Sequence, residues 1–209
     1  MRHFFCIFAA VLFCFSCSSV KSAPEPVNMI ADLDPVQVGS VNASIDQTLS
    51  PNLRERTIEV FFHPRENLVG LDFNHEFSQS WQYWDEGARQ SFIESVLRYN
   101  EDLSNNKLIN DYGKTRKIYG TVKGRAEWVS LSMFTFSEKY RASPVIELGY
   151  RFRGNKPYFS TCQRTAKEES GVNKDIKESW QFNLYFTSEQ CKELAKIFDQ
   201  AFLLESIGK

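Results

Sequence analysis

Histidine, methionine and cysteine are scarce in this chain, with three, three and five copies in 209 residues. That scarcity bears on chemistry first. His63 and His75 lie on either side of a chain reversal that leaves them about seven strand rungs apart, on the order of 20 Å at ~3.3 Å per residue, so they do not converge on a metal. Gly-x-Ser-x-Gly, His-Glu-x-x-His, a phosphate loop and Gly-x-Gly-x-x-Gly are all missing, so the sequence calls for no cofactor and carries no catalytic signature. An excess of one charge is missing too: 25 Lys and Arg face 26 Asp and Glu, so bulk charge favours neither polyanions nor polycations. After Phe15 no run is apolar enough to span a bilayer.

What is present begins with an address. Arg2 and His3 precede an apolar run from Phe4 to Phe15, followed by small residues, the pattern of an export signal over residues 1–16. Phe15-Ser16-Cys17-Ser18-Ser19 resembles the lipobox of bacterial lipoproteins, in the loose form of spirochaete lipoproteins. The resemblance implies cleavage before Cys17 and a diacylglycerylated, acylated Cys17 as the new terminus. Acyl chains anchor through burial of about 0.8 kcal/mol per methylene, so the expected location is the cell envelope, facing periplasm or exterior. Residues 17–52, with Pro24, Pro26, Pro35 and Pro51, read as an extended tether in which Val36, Val38 and Val41 form at most a short edge strand.

The folded part is expected over 53–209, divided at about residue 112. Ile58, Val60 and Phe62 alternate with polar residues, a turn at Pro64–Asn67 follows, and Val69, Leu71 and Phe73 answer. One hairpin register buries all six and leaves Glu59 opposite Asp72 on the outer face. Trp81–Trp84 adds a strand before a helix capped by Asp85, with Ala88, Phe92, Ile93, Val96 and Leu97 on its apolar face. A second set of alternating strands runs from Ile118 to Cys162 and includes Phe134 and Phe136. Trp180, Phe182, Leu184 and Phe186 then lead into a Thr187-x-x-Gln190 capping box and one amphipathic helix carrying Cys191, Leu194, Ala195, Phe198, Ala201 and Phe202. Ser-Trp-Gln occurs at 80–82 and at 179–181, each time before a capped helix. The fold class predicted is α+β: antiparallel sheet in two strands-then-helix units, an internal duplication being one reading, with the helices packed on the sheet. In outline such a unit is similar to single-strand nucleic-acid-binding folds of the PUR and whirly type.

Charge is unevenly spread. Residues 113–167 hold twelve Lys and Arg against three acids, whereas residues 18–112 hold seven against fifteen. Tyr119, Lys123 and Arg125 on one strand face, with Arg151 and Arg153 on another, would form a basic stripe for an anionic glycan, a lipid headgroup or an envelope protein. The competing reading is a solvated sheet face, or one that pairs with the acidic first half. Glu127 and Glu147 are the carboxylates an envelope glycan-acting enzyme would use. Cys162 and Cys191 are left once Cys6 and Cys14 depart with the leader; they could bond, although a buried pair of free thiols fits the apolar stripe around Cys191 better. The four tryptophans fit core more readily than a ligand groove. These features converge on a lipid-anchored, non-catalytic binding or scaffolding protein, with a nucleic-acid-binding role opposed by the export signal.

Overall fold

A computed structural model describes residues 34–47, 50–75, 78–111, 117–130, 138–171 and 178–208. The leader, Cys17, Phe134 and Phe136 lie outside the described residues. In chain order the elements are β1 (Val36–Gln47), β2 (Ser50–His63), β3 (Leu68–His75), β4 (Ser78–Trp84), α1 (Glu86–Ser104), β5 (Lys117–Lys123), β6 (Arg125–Ser130), β7 (Lys139–Ala142), β8 (Val145–Arg153), β9 (Lys156–Gln163), β10 (Phe182–Phe186), α2 (Ser188–Phe198) and α3 (Gln200–Ile207).

The hairpin register follows from side-chain alternation alone. Val60 pairs with Leu71 and Phe62 with Val69, while Glu59 faces Asp72, and all six apolar residues from Ile58 to Phe73 are buried. A two-residue period commits one whole face to the core, so a one-residue slip would expose every one of them. Asp85 caps α1 by accepting from the Ala88 amide, and Thr187 and Gln190 form the reciprocal capping box at the start of α2.

The two-unit α+β arrangement is overturned. All ten strands form one antiparallel sheet in the order β5-β8-β9-β10-β1-β2-β3-β4-β6-β7, curled into a half-barrel with three short helices. β10 joins β9 on one side and β1 on the other, and β1 pairs with β2, so the closing strand of the supposed second unit is continuous with the sheet of the first. The helices share one core as well, Phe92 of α1 lying 4.9 Å from Phe198 of α2 between ring centroids. Nor do the two Ser-Trp-Gln copies occupy equivalent places: Gln82 is buried and Gln181 exposed. The tether reading of 36–52 falls too, because β1 is an interior strand whose Val41, Ala43 and Ile45 belong to the core.

The curl has a specific origin. β5 and β6 are consecutive through Gly124, and β7 and β8 through Ser143 and Pro144; the Gly124 amide donates to the Pro144 carbonyl at 2.9 Å. The pairs Lys123–Val145 and Ala126–Ala142 keep one register across that point. A single bent ribbon therefore supplies both ends of the strand order, with its β5–β8 half joined to β9 and its β6–β7 half joined to β4. A Cβ at Gly124 would lie 2.6 Å from Ile146 Cδ1, so the bend is packed tightly where the ribbon turns.

The inner face is filled by helix. Phe92 meets Trp84, Phe159 and Phe198 edge-on at 5.7, 5.3 and 4.9 Å, and Leu194 and Leu203 are fully buried. The helix expected to run through Phe202 stops at Phe198, where Asp199 turns extended and its side chain accepts from the Ala201 and Phe202 amides to start α3. Ala201 is consequently exposed, off the stripe its spacing suggested.

Candidate binding face on the sheet

The inner face leaves almost no room. Where β4 approaches β9, Gln82 Nε2 donates to Gln163 Oε1 at 2.8 Å and Gln163 Nε2 to the Trp180 carbonyl at 3.1 Å. The cavity beside them measures about 10 Å³, the volume of one water. That cavity is too small for a ligand larger than water.

The five residues of the expected basic stripe do not come together. A register shift between Ile118 and Gly120 interrupts the alternation of β5. Tyr119 packs against the core and donates to Asp102 Oδ2 of α1 at 2.8 Å, with the Arg98 guanidinium over its ring. Lys123 remains exposed. Arg153 is ion-paired to Asp46 of β1, whose carboxylate also accepts from Asn183 and from Tyr185 Oη at 3.0 Å. Arg151 shares the outer face of β8 with Arg153. Arg125 lies on β6, bound to Glu127 at 2.8 Å and 3.5 Å from Glu66. Asp46 and Glu66 belong to the acidic first half, so Arg153 and Arg125 of the expected stripe are each paired with it.

Glu127 is the centre of the second cluster. Its side chain is 4% exposed, yet Arg125, Lys139 and Tyr83 Oη, the last at 3.2 Å, all donate to it, and Arg141 Nε stands 3.6 Å away. Burial pushes the Glu127 carboxyl up, but the hydrogen bonds and charges of Lys139 and Arg125 outweigh it and hold the group below the usual carboxylate range. Glu147 is likewise ion-paired, to Arg164 at 2.7 Å. Burial and the neighbouring Glu127 raise the Tyr83 phenol to about 12. Lys139 and Arg125 cover the Trp81 and Tyr83 rings at 4.8 and 4.7 Å.

Among the described residues Cys162 and Cys191 are separate, with no disulfide between them. Cys191 faces the core from α2 and donates to the Ser188 carbonyl at 3.2 Å, burial raising it to about 12. Cys162 is buried on β9, outside that core cluster. The disulfide is therefore not formed. Trp84 and Trp128 are core, Trp81 sits half-buried on the outer face, and Trp180 is 39% exposed.

Open space lies instead between β2 and β3. Their ladder ends at Glu59–Asp72, beyond which Arg56 Nε donates to the Asn74 carbonyl at 3.2 Å, a side chain bridging strands whose own pairing has stopped. The gap is a groove of about 410 Å³ lined by Arg56, Thr57, Glu59, Asp72, Phe73, Asn74 and Gln79. Gln79 Nε2 donates to both Asp72 carboxylate oxygens at 3.1 Å. Trp81 is the register partner of Asp72. The sequence signal for this site was the Glu59–Asp72 pairing, which reads as a mild like-charge cost until the strands are seen to part next to it.

The family model that matches residues 35–205 is described as an uncharacterised Treponema protein. The chain belongs to that family. The match begins at the first strand and ends in the last helix, so it spans the whole described sheet. No curated protein and no solved structure matches the chain.

Proposed function

We propose that this member of the Treponema family is a lipid-anchored protein of the cell envelope that binds a ligand without transforming it. The observation that carries the binding role is the open polar groove on the outer face, set against an inner face packed with helix. Glu127 and Glu147 do not suit glycan cleavage: both are held by cations, and a general acid needs its proton retained near neutral pH. The anchor rests on the leader and on Ser16-Cys17, and spirochaete membership fits the loose form of that lipobox. Among the described residues no helix is long and apolar enough to cross a membrane; in this reading the acyl chains on Cys17 make the attachment.

The anchor is tested by growing cells with labelled palmitate. Label should enter the wild-type chain, be absent from Cys17→Ala, and leave the membrane fraction with it. Equal labelling of both chains, or membrane retention of unlabelled Cys17→Ala, would remove the lipid from this reading.

A further inference from the structure

We infer that the groove between β2 and β3 is a saccharide site, selective for uncharged sugars over acidic ones. This rests on the binding role proposed above and supplies its ligand class. The lining is the starting point. Asp72 and Glu59 offer carboxylate oxygens, each able to accept from two neighbouring hydroxyls; Asn74 and Gln79 offer amides that donate and accept; Thr57 offers a hydroxyl and Arg56 a planar set of donors. A polyhydroxylated ring, on which every oxygen both donates and accepts, can satisfy such a mixed wall. A purely cationic or purely anionic ligand would use only part of it.

Size and polarity exclude the main competitor. A groove of about 410 Å³ falls within the roughly 300–1,000 Å³ of small-molecule clefts. A protein partner needs apolar or aromatic anchors in a desolvated centre; Phe73 is the one apolar residue in the lining, and its side chain is turned into the core at 3% exposure.

Charge sets the selectivity. Glu59 and Asp72 face each other across the ladder, and neither makes an ion pair among the described residues. A uronate or other acidic sugar would meet two carboxylates against the single guanidinium of Arg56, whereas a neutral ring brings hydroxyl donors to both. Asp72 is already oriented by the Gln79 amide at 3.1 Å, which lowers the ordering cost of binding.

The experiment uses the full-length chain purified in a polyoxyethylene detergent, which carries no sugar headgroup, with titration calorimetry against chitotriose, maltotriose, trigalacturonate and spermidine. At least one neutral trisaccharide should bind saturably, with trigalacturonate tenfold weaker or more. Asp72→Ala and Gln79→Ala should each weaken that binding at least tenfold, with thermal midpoints near wild type showing that the chain still folds; Lys123→Ala, on the exposed end of β5, should bind as wild type does. Failure of both neutral sugars to bind at millimolar concentration would overturn the site. So would trigalacturonate binding as tightly, spermidine binding alone, or Asp72→Ala and Gln79→Ala leaving affinity unchanged. None of these outcomes depends on acylation of Cys17, so the site and the anchor fail separately.

Discussion

Two residues concentrate the polar energetics of the fold. Arg89, 1% exposed on α1, donates to the carbonyls of Asn67 and Trp84 and to the side chains of Asn67 and Gln200, so one guanidinium joins the β2–β3 turn, the entry to α1 and the start of α3. Removing it strands several acceptors at once. Arg89→Met should cost on the order of 3 kcal/mol, since each hydrogen bond to a charged group contributes roughly 1.5–3 kcal/mol and the truncated stem leaves polar groups unpaired. Arg89→Lys should recover little of this, because an ammonium cannot span a fork of acceptors; urea midpoints of the three chains decide it. Glu127 gives a pH signature. Its carboxyl titrates lower in the fold than in the unfolded chain, so its contribution is complete above the unfolded value, about 4.3, and is lost as pH falls through the lower folded value. Wild type should exceed Glu127→Gln by ~2 kcal/mol at pH 7, with the gap narrowing below about pH 4.3. An unchanged difference in thermal midpoint between pH 6 and pH 3 would contradict the assignment.

At the scale of elements, alternation and caps were readable and departures from alternation were not. The β2–β3 register and both N-caps follow from local pattern, because each is decided within a few residues. Tyr119 was misassigned because the register shift at Ile118–Gly120 reverses the face of a residue without altering the composition around it. The helix break at Asp199 was hidden in the same way: the apolar spacing continues through Phe202, but an Asp that can accept from two amides ends one helix by starting another. The groove needed tertiary knowledge, since nothing in β2 or β3 alone says where their pairing stops. Two element-scale consequences can be measured. A Cβ at Gly149 would sit 1.8 Å from the Lys117 carbonyl oxygen across the shifted register, so Gly149→Ala should lose about 3 kcal/mol as the β5–β8 ladder gives way. Thr187→Ala, which removes half of the capping box, should lose only about 1 kcal/mol. Comparable losses for the two would mean that the shift at Ile118 relaxes freely around an added methyl group.

At the scale of the whole molecule, the acidic first half supplies the central strands β1–β4 of one sheet and the basic second half the strands on both flanks, joined by Asp46–Arg153 and Glu66–Arg125 and by the pairing of β1 with β10 and of β4 with β6. The largest change from the sequence-based view follows: β1, which resembles a proline-flanked tether because only alternate valines and small residues mark it, lies between β10 and β2 in the interior of the strand order. Its removal tests the architecture as a unit. Val41 and Ile45 are 3% and 2% exposed, and burying each contributes roughly 1.5–3 kcal/mol. The ladder bonds to β2 along ten register pairs add about 1 kcal/mol for each net hydrogen bond. Together these are as large as the roughly 5–15 kcal/mol by which a domain is stable at all. Deleting Val36–Gln47 should therefore abolish cooperative unfolding in urea and near-ultraviolet dichroism, not merely lower the midpoint. A chain lacking those residues that still unfolded in one sharp transition near the wild-type midpoint would mean that β9, β10 and β2 hold together without the strand between them, and the ten-strand order would be wrong at its centre.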